Sequence, residues 1–219
     1  MEPRTIFLCG TLMPPIIGPL INRGITGAWK GALVKTLPRL GTAGCEETYQ
    51  GMARWLKSKV SPEEPLTLVG QSQGGLYAVL LALDLPNPVE RVVTLSAPHH
   101  GSNLSYAAPV IAPFCYGLWD MRPTSRFMKS YMDRLPEISP RLTSVYAHND
   151  LVIHPSNSSH VDGACNYIFA SLKEYGATHA QIYDTTRLDG NPTHFSELFD
   201  GDVAKVLRFI SASGGIIAA

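Results

Sequence analysis

A serine flanked by glycines stands where an apolar run gives way to a helical pattern, in the segment Gly70-Gln71-Ser72-Gln73-Gly74. The serine of such a G-x-S-x-G turn lies at a strained strand-to-helix corner, which exposes its hydroxyl beside the helix N-terminus. A hydroxyl is a poor nucleophile at neutral pH, so acyl transfer needs a histidine that accepts its proton and a carboxylate that orients the histidine. The pattern predicts Ser72 as a nucleophile, and an ordinary turn with an idle serine is the alternative.

The carboxylate that best fits this chemistry is Asp150. It closely follows the β-rich run 141–147, so we expect it on a loop at a strand end, at the same edge of the sheet as Ser72. An aspartate that only shapes a turn is the competing interpretation. Three other aspartates are less well placed with respect to the end of a predicted strand: Asp120, Asp133 and Asp162.

Two histidines compete for the role of base. His194 immediately precedes the amphipathic run 195–210, so it would lie on a loop before the final helix, from which an imidazole can lean towards the serine. His179 is followed by 180–183 (AQIY), which could extend the sheet or form an inserted loop. We therefore favour His194 and keep His179 as the alternative, and for both a solvent-exposed loop histidine remains the simplest competing interpretation.

Stabilisation of the developing negative charge requires two backbone N–H donors, an oxyanion hole. Gln73, the residue after the nucleophile, supplies one. Thr11, just after Gly10 at the end of the first predicted strand, is the expected second donor, and this assignment depends on that of Ser72.

Short apolar runs alternate with helical patterns, which predicts an α/β fold. Strand, helix, strand in this rhythm implies parallel pairing with right-handed crossovers. Neither an internal repeat nor a long linker divides the chain, so we expect a single domain over 1–219. The predicted strands are 5–9, 32–36, 66–69, 91–95, 141–147 and 165–170, and the predicted helices are 46–60, the segment from Ser72 to Leu83, and 195–210.

Residues 104–119 are apolar and interrupted by prolines, without a clean period. Their expected place above the strand ends makes them a candidate acyl-binding wall or short lid. Covered core is the alternative.

The composition excludes several classes of function. Charged residues make up 16% of the 219 residues and the formal net charge is zero, so nothing suggests a nucleic-acid partner. No apolar run is long enough to span a membrane. No signal peptide is visible, so we expect a cytoplasmic location by default, or secretion if the natural chain begins upstream. The oligomeric state is not indicated.

Neither the cysteines nor the histidines form a metal-binding pattern. The four cysteines are scattered, which favours free buried thiols, and the histidine spacings do not repeat. We expect no cofactor and no catalytic metal. The residues considered are Cys9, Cys45, Cys115 and Cys165, with His99, His100, His148, His154 and His160.

Three motifs together resemble the bacterial lipase/esterase branch of the α/β-hydrolases: 70–75 (GQSQGG), 97–102 (APHHGS) and 150–155 (DLVIHP). The resemblance extends from about residue 5 to 210 and implies a compact α/β-hydrolase fold, a mostly parallel sheet flanked by helices with a reduced cap. It implies Ser72 as nucleophile and Asp150 as triad acid, with the order serine, aspartate, histidine. The interval from acid to base that it implies is closer to that of His179, whereas the residues after His194 have lipase-like spacing.

The sequence departs from this family in three ways. Cys9 stands where a histidine of an H-G pair is usual, and Gln71 stands where G-H-S is usual. Both changes alter hydrogen bonding around the triad and leave the triad itself intact. No secretion signal precedes the first strand, which argues against an extracellular fat-digesting role. Some secreted members carry a structural calcium ion, for which no ligands can be assigned here.

These observations predict a serine carboxylic-ester hydrolase that acts on a small-molecule ester or lipid with an apolar acyl group, through an acyl-Ser72 intermediate. Acyltransferases and thioesterases use the same machinery. A catalytically silent scaffold is the rival from another class. Because little chain between Gly101 and Pro136 is available for a cap, we expect a preference for short to medium acyl chains without strong interfacial activation.

Overall fold

The structure, a computed structural model, describes residues 3–13, 32–147, 150–169, 171–172, 179 and 188–189. Six strands in these ranges form one sheet in which every neighbouring pair is parallel. A separate antiparallel pair is formed by β7 (Ser171–Leu172) and β8 (Leu188–Asp189). The strands of the main sheet are β1 (Arg4–Leu8), β2 (Leu33–Lys35), β3 (Leu66–Gln71), β4 (Val89–Leu95), β5 (Leu142–Ala147) and β6 (Cys165–Phe169).

The strand order β2-β1-β3-β4-β5-β6 reverses between β1 and β3. The chain leaves β1 to one side to form β2, and then crosses to the other side to form β3. Leu8 pairs with Gly70, so the carboxyl ends of β1 and β3 lie side by side. In open parallel sheets, ligands bind at the carboxyl ends of the strands where the order reverses. Thr11 and Ser72 follow these two strand ends, so the topology alone favours a site between them.

Helices cover the sheet and provide the turns that hold the strand ends. The first long helix has Glu46 and Glu47 in its first turn and Arg54 and Lys57 in its last, which complements the helix dipole. The α-helices of the described residues are α1 (Cys45–Lys57), α2 (Gln73–Asp84), α3 (Ala108–Ile111), α4 (Tyr116–Asp120) and α5 (Arg126–Ile138), with 3-10 turns at Pro38–Gly41, Asn103–Tyr106, Ser139–Arg141 and Ser156–Ser159.

Helix α2, which begins directly after Ser72, is buried on nearly all sides. Leu76 and Val79 are fully buried, and so are Tyr77 and Leu81, which lie on other sides of the helix. Helices α1 and α5 pack against α2, so it has almost no solvent-facing side. This burial fixes the helix N-terminus on which the candidate nucleophile sits.

The predicted mostly parallel sheet flanked by helices is confirmed. The apolar runs located the strands to within a few residues because strands buried on both faces are nearly continuous in Val, Ile and Leu. The predicted final helix 195–210 lies outside the described residues. Segment 104–119 contains a 3-10 turn followed by α3 and α4, which its irregular pattern did not predict. Within the ranges described, no helix is long and apolar enough to cross a membrane.

Candidate active site

Ser72 occupies a sharp turn between β3 and α2. Its backbone has φ 52° and ψ −129°, a left-handed conformation that is costly for a residue with a side chain. Two glycines make this turn possible by letting three backbones approach closely. A Cβ on Gly70 would lie 2.4 Å from the carbonyl oxygen of Gly74, and a Cβ on Gly74 would lie 2.4 Å from the carbonyl oxygens of Leu8 and Cys9. The G-x-S-x-G spacing therefore has a steric reason.

A continuous chain of hydrogen bonds joins Ser72, His179 and Asp150. The His179 Nε2 atom lies 3.0 Å from Ser72 Oγ, and its Nδ1 atom lies 2.6 Å from Asp150 Oδ2. All three side chains are buried, with residue exposures of 7%, 6% and 3% in the order Ser72, His179, Asp150. With the carboxylate ionised, Nδ1–H donates to Asp150, and Nε2 is left to accept the proton of the serine hydroxyl. This geometry is that of a nucleophile with its general base.

The surroundings of Asp150 favour its ionised form. Burial by itself raises the pKa of this carboxyl, but the hydrogen bond and charge of His179, the backbone N–H of Ile153 and the hydroxyl of Ser96 outweigh it, so the pKa lies below its ordinary value. The Oδ1 atom accepts the backbone N–H groups of Val152 at 2.9 Å and Ile153 at 3.0 Å. The aspartate thus shapes its own turn and also points its other oxygen at the imidazole.

Of the two histidine candidates, His179 lies within the described residues and His194 does not. His179, the alternative in the sequence analysis, contacts both Ser72 and Asp150. His194, the favoured candidate, lies outside the described residues. The local pattern that favoured His194, a loop before an amphipathic run, carries no information on which loop approaches a serine more than a hundred residues earlier in the chain.

The two expected oxyanion donors lie on neighbouring segments that are bonded to each other. The Thr11 hydroxyl donates to Gln73 Oε1 at 2.6 Å. The fully buried amide of Gln73 also donates from Nε2 to the Tyr77 hydroxyl at 2.8 Å. Gln73 is the first residue of α2, where backbone N–H groups have no partner within the helix. These contacts hold the loop after β1 against the start of α2.

Cys9, which ends the segment before Gly10, does not have the properties of a reactive thiol. It is fully buried, and burial raises the pKa of its thiol to about 12. A thiol of this kind stays protonated at neutral pH and is inert. Replacement of the usual histidine by Cys9 therefore adds no chemistry.

A cavity of about 260 Å³ opens beside Ser72 and His179. Its wall away from these two residues is almost entirely apolar, which suits a hydrocarbon chain. Segment 104–119 supplies much of this wall, so at least part of it lines the site. The lining residues are Thr11, Leu12, Ser72, Ser102, Leu104, Ser105, Ala108, Leu118, Met121, Val152, Ile153 and His179.

The cap formed by 103–120 is attached at its C-terminal end to the body of the protein. Asp120 Oδ2 accepts the backbone N–H of Cys45 at 2.7 Å, which caps the start of α1. The backbone N–H of Gly117 donates to the carbonyl of Thr42 at 3.4 Å. Earlier in the same segment, Val110 and Phe114 expose 85% and 83% of their surface. The cap is therefore short, anchored and apolar on its outside.

Ser102 links the loops that follow β4 and β5. Its hydroxyl donates to the carbonyl of Val152 at 3.1 Å and accepts the backbone N–H of His154 at 3.2 Å. The backbone N–H of Asn103 adds a bond to the carbonyl of His154 at 2.6 Å. This link was not predicted, and its only signal in the sequence is the joint presence of the motifs 97–102 and 150–155.

His99, in the motif 97–102, has a structural role. It is fully buried, with Nε2 2.9 Å from Thr94 Oγ1 and Nδ1 2.6 Å from the Tyr131 hydroxyl. Burial lowers the pKa of this imidazole to about 3, with a smaller effect of His100.

Within the described part of the chain, no group of three or more His, Cys, Asp and Glu residues could hold a metal ion.

Comparison with known proteins agrees with this architecture. A family model described as the alpha/beta hydrolase fold matches residues 28–124. Similar solved structures include the mature lipase BlEst2 of Bacillus licheniformis, at 17% identity over 94% of this chain and 92% of that one, with a TM-score of 0.52. Another, at 14% identity over 94% of both chains and a TM-score of 0.55, belongs to a study of two metagenome-derived lipolytic enzymes, LipS and LipT.

A thioesterase domain from the curacin biosynthetic pathway is also similar, at 14% identity over 83% of this chain and 88% of that one, with a TM-score of 0.54. At identities this low, the structural similarity establishes a shared fold and nothing more. None of the curated protein sequences compared with the chain matches it significantly. The α/β-hydrolase fold that the three motifs imply is confirmed.

Proposed function

Because this chain has the α/β-hydrolase fold, we propose that it is a serine hydrolase that cleaves carboxylic esters of apolar acyl groups. One observation carries the proposal: the hydrogen-bonded chain Ser72–His179–Asp150 lies at the point where the strand order reverses and faces an apolar cavity. A silent scaffold has no need for a buried, strained serine bonded to an imidazole.

In the proposed mechanism, Ser72 Oγ attacks the ester carbonyl while His179 Nε2 accepts its proton. Asp150 holds the ring and stabilises the imidazolium that forms. The negative charge on the tetrahedral intermediate is bound by the backbone N–H groups of Thr11 and Gln73. Collapse breaks the bond to the alcohol, which leaves with the proton from His179. Water, deprotonated by His179, then attacks the acyl-serine. The carboxylic acid is released, and Ser72 regains its proton from His179.

The cavity limits the acyl group. Its volume of about 260 Å³ lies below the roughly 300–1,000 Å³ of sites for drug-sized ligands. Leu104, Leu118 and Met121 on its wall contact hydrocarbon favourably and offer a polar chain no partner. This supports short to medium acyl chains as substrates.

A second candidate is thioester hydrolysis, favoured by the fold shared with the curacin thioesterase domain. The same triad would attack a thioester carbonyl, and only the leaving group differs. Turnover of a matched pair, an acyl p-nitrophenyl ester and the corresponding acyl thioester of a small thiol, would separate the two. A large excess of kcat/KM for the thioester would favour the second candidate.

Covalent labelling tests the nucleophile itself. A fluorophosphonate, which reacts far faster with an activated serine than with an ordinary hydroxyl, should label the parent protein at one site. Ser72→Ala should abolish labelling, because the attacking oxygen is gone. Ser130→Ala, at an exposed position on α5, is the matched control and should be labelled like the parent. An unlabelled parent protein, or a labelled Ser72→Ala variant, would contradict the proposal.

A further inference from the structure

We propose that Gln71 is a positioning residue whose side-chain amide fixes the base and the oxyanion loop relative to one another. The inference rests on the proposed function, because it takes His179 as the base and the Thr11 amide as an oxyanion donor. Gln71 is the last residue of β3, immediately before Ser72, and only 1% of its surface is exposed. The fold has thus buried a polar side chain next to the nucleophile.

Both ends of the Gln71 amide are bonded to backbone atoms from distant parts of the chain. Nε2 donates to the carbonyl oxygen of His179 at 2.8 Å, and Oε1 accepts the backbone N–H of Gly10 at 3.3 Å. A side-chain amide is neutral and carries its donor and its acceptor on two different atoms, so it can bond to a carbonyl and to an N–H at the same time. Gln71 therefore connects the residue that carries the base with the loop that carries Thr11.

The bond to the His179 carbonyl restrains the backbone of this residue, which the bonds to its ring do not do directly. The hydrogen bonds of Ser72 and Asp150 go to the imidazole nitrogens, whereas that of Gln71 goes to the backbone carbonyl of His179. A displacement of about 1 Å in a catalytic group can cost a hundredfold in rate. Fixing the carbonyl limits the positions that the Cα of His179 can take, and so holds the ring at bonding distance from Ser72 Oγ.

The oxyanion side of the link has a steric requirement that the chain meets. A Cβ on Gly10 would lie 3.0 Å from the Cβ of Ser72 and 3.2 Å from Gln71 Oε1. Glycine at this position lets the loop come close enough for its N–H to reach the amide oxygen. Without the amide, a buried N–H and a buried carbonyl would both lose their partner, which is costly wherever no water replaces it.

The test compares two variants of Gln71 with a matched amide elsewhere. Gln71→Met keeps the length of the side chain and removes both bonds. Gln71→Glu keeps an oxygen for Gly10 but loses the donor for His179. Asn87→Leu is the control, because Asn87 is also buried and its amide also donates to backbone carbonyls, of Ser61 at 2.6 Å and Glu64 at 3.1 Å, at the opposite end of the sheet.

With turnover expressed per fluorophosphonate-labelled serine, so that unfolded molecules do not count, we expect both Gln71 variants to lose at least tenfold in kcat with KM within twofold of the parent. Asn87→Leu should lower the melting temperature and leave kcat unchanged. Relative to the parent, the rate of fluorophosphonate labelling should fall in Gln71→Glu by a similar factor. Relative to His179→Ala, the double variant that also carries Gln71→Glu should be labelled less than twofold more slowly, because the imidazole that Gln71 positions is already absent.

Equal effects of Gln71→Glu in the two backgrounds would overturn the inference, and so would Gln71 variants that lose only stability. If the buried charge prevents Gln71→Glu from folding, Gln71→Met is used in both backgrounds. Its effect should then be smaller in His179→Ala than in the parent, because only the loss of the bond to Gly10 still counts there. A parent protein that is not labelled at all would refute the proposed function instead, so the two failures are distinguishable.

Discussion

At the scale of single residues, the candidate site combines side chains that a local pattern locates with one that it does not. Ser72 and Asp150 each follow an apolar run closely, so their positions at strand ends could be predicted. The histidine could not be chosen in this way, because its approach to Ser72 joins residues 107 positions apart. In the sequence, Gln71 stands out only as a departure from a motif, because the partners of a glutamine at a buried strand end are visible only in the three-dimensional structure.

The choice between the two histidines is a direct test at this scale. We expect His179→Ala to lower kcat by several orders of magnitude with the fold kept, because Ser72 then lacks its proton acceptor. His194→Ala should keep turnover close to the parent and serves as the paired control. Steady-state kinetics on a p-nitrophenyl ester, with circular dichroism to check folding, measures both. An active His179→Ala beside an inactive His194→Ala would reverse the assignment.

His99 makes a second prediction, on acid stability. Its pKa of about 3 in the folded protein lies below the ordinary value of 6.5, so the unfolded state binds a proton that the folded state refuses. The free energy of unfolding should therefore fall as the pH drops from about 6.5 towards 3, by up to about 1.4 kcal/mol per pH unit from this group. Above pH 6.5 the contribution is complete and constant.

His99→Gln removes this titration and retains groups that can bond to Thr94 and Tyr131. Although the variant should be less stable than the parent at pH 7, its urea-unfolding free energy should decline less steeply between pH 6 and pH 4. Parallel pH profiles for the two proteins would show that His99 does not contribute to acid sensitivity.

At the scale of elements, regular strands and long helices follow from the sequence, and the cap does not. Buried strands such as β4 are recognisable by their branched apolar residues, and α1 by its charged ends. Helices α3 and α4 are too short for a period to be visible, and contacts such as that between Asp120 and Cys45 hold them in place. Tertiary contacts, absent from any local pattern, decide such segments.

The anchored cap leads to a prediction on substrate length. Because the cavity is small and the cap is tied to α1, we expect p-nitrophenyl esters of short to medium acyl chains to show the highest kcat/KM, without a jump in rate where the substrate passes its solubility limit. A series of acyl chain lengths measured across that limit checks both points. An optimum on long-chain emulsified triglyceride with a sharp rise at the limit would contradict them.

At the scale of the whole molecule, the site depends on the order of the strands. The reversal between β1 and β3 leaves their carboxyl ends free of a crossing connection, and Thr11 and Ser72 follow those ends. A parallel sheet flanked by helices could be predicted from the alternation of patterns. The pairing of β1 with β3 required the three-dimensional structure, because alternation alone is compatible with several strand orders.

The link made by the Ser102 hydroxyl between the loops after β4 and β5 has a thermodynamic meaning. The bonds to Val152 and His154 join parts of the chain itself and involve no substrate atom, so the loop that carries Asp150 is ordered when the chain folds. The entropy of ordering that loop is then a cost of folding and does not reduce the free energy of substrate binding. In the proposed reaction, binding energy from the acyl chain thus remains available to stabilise the transition state.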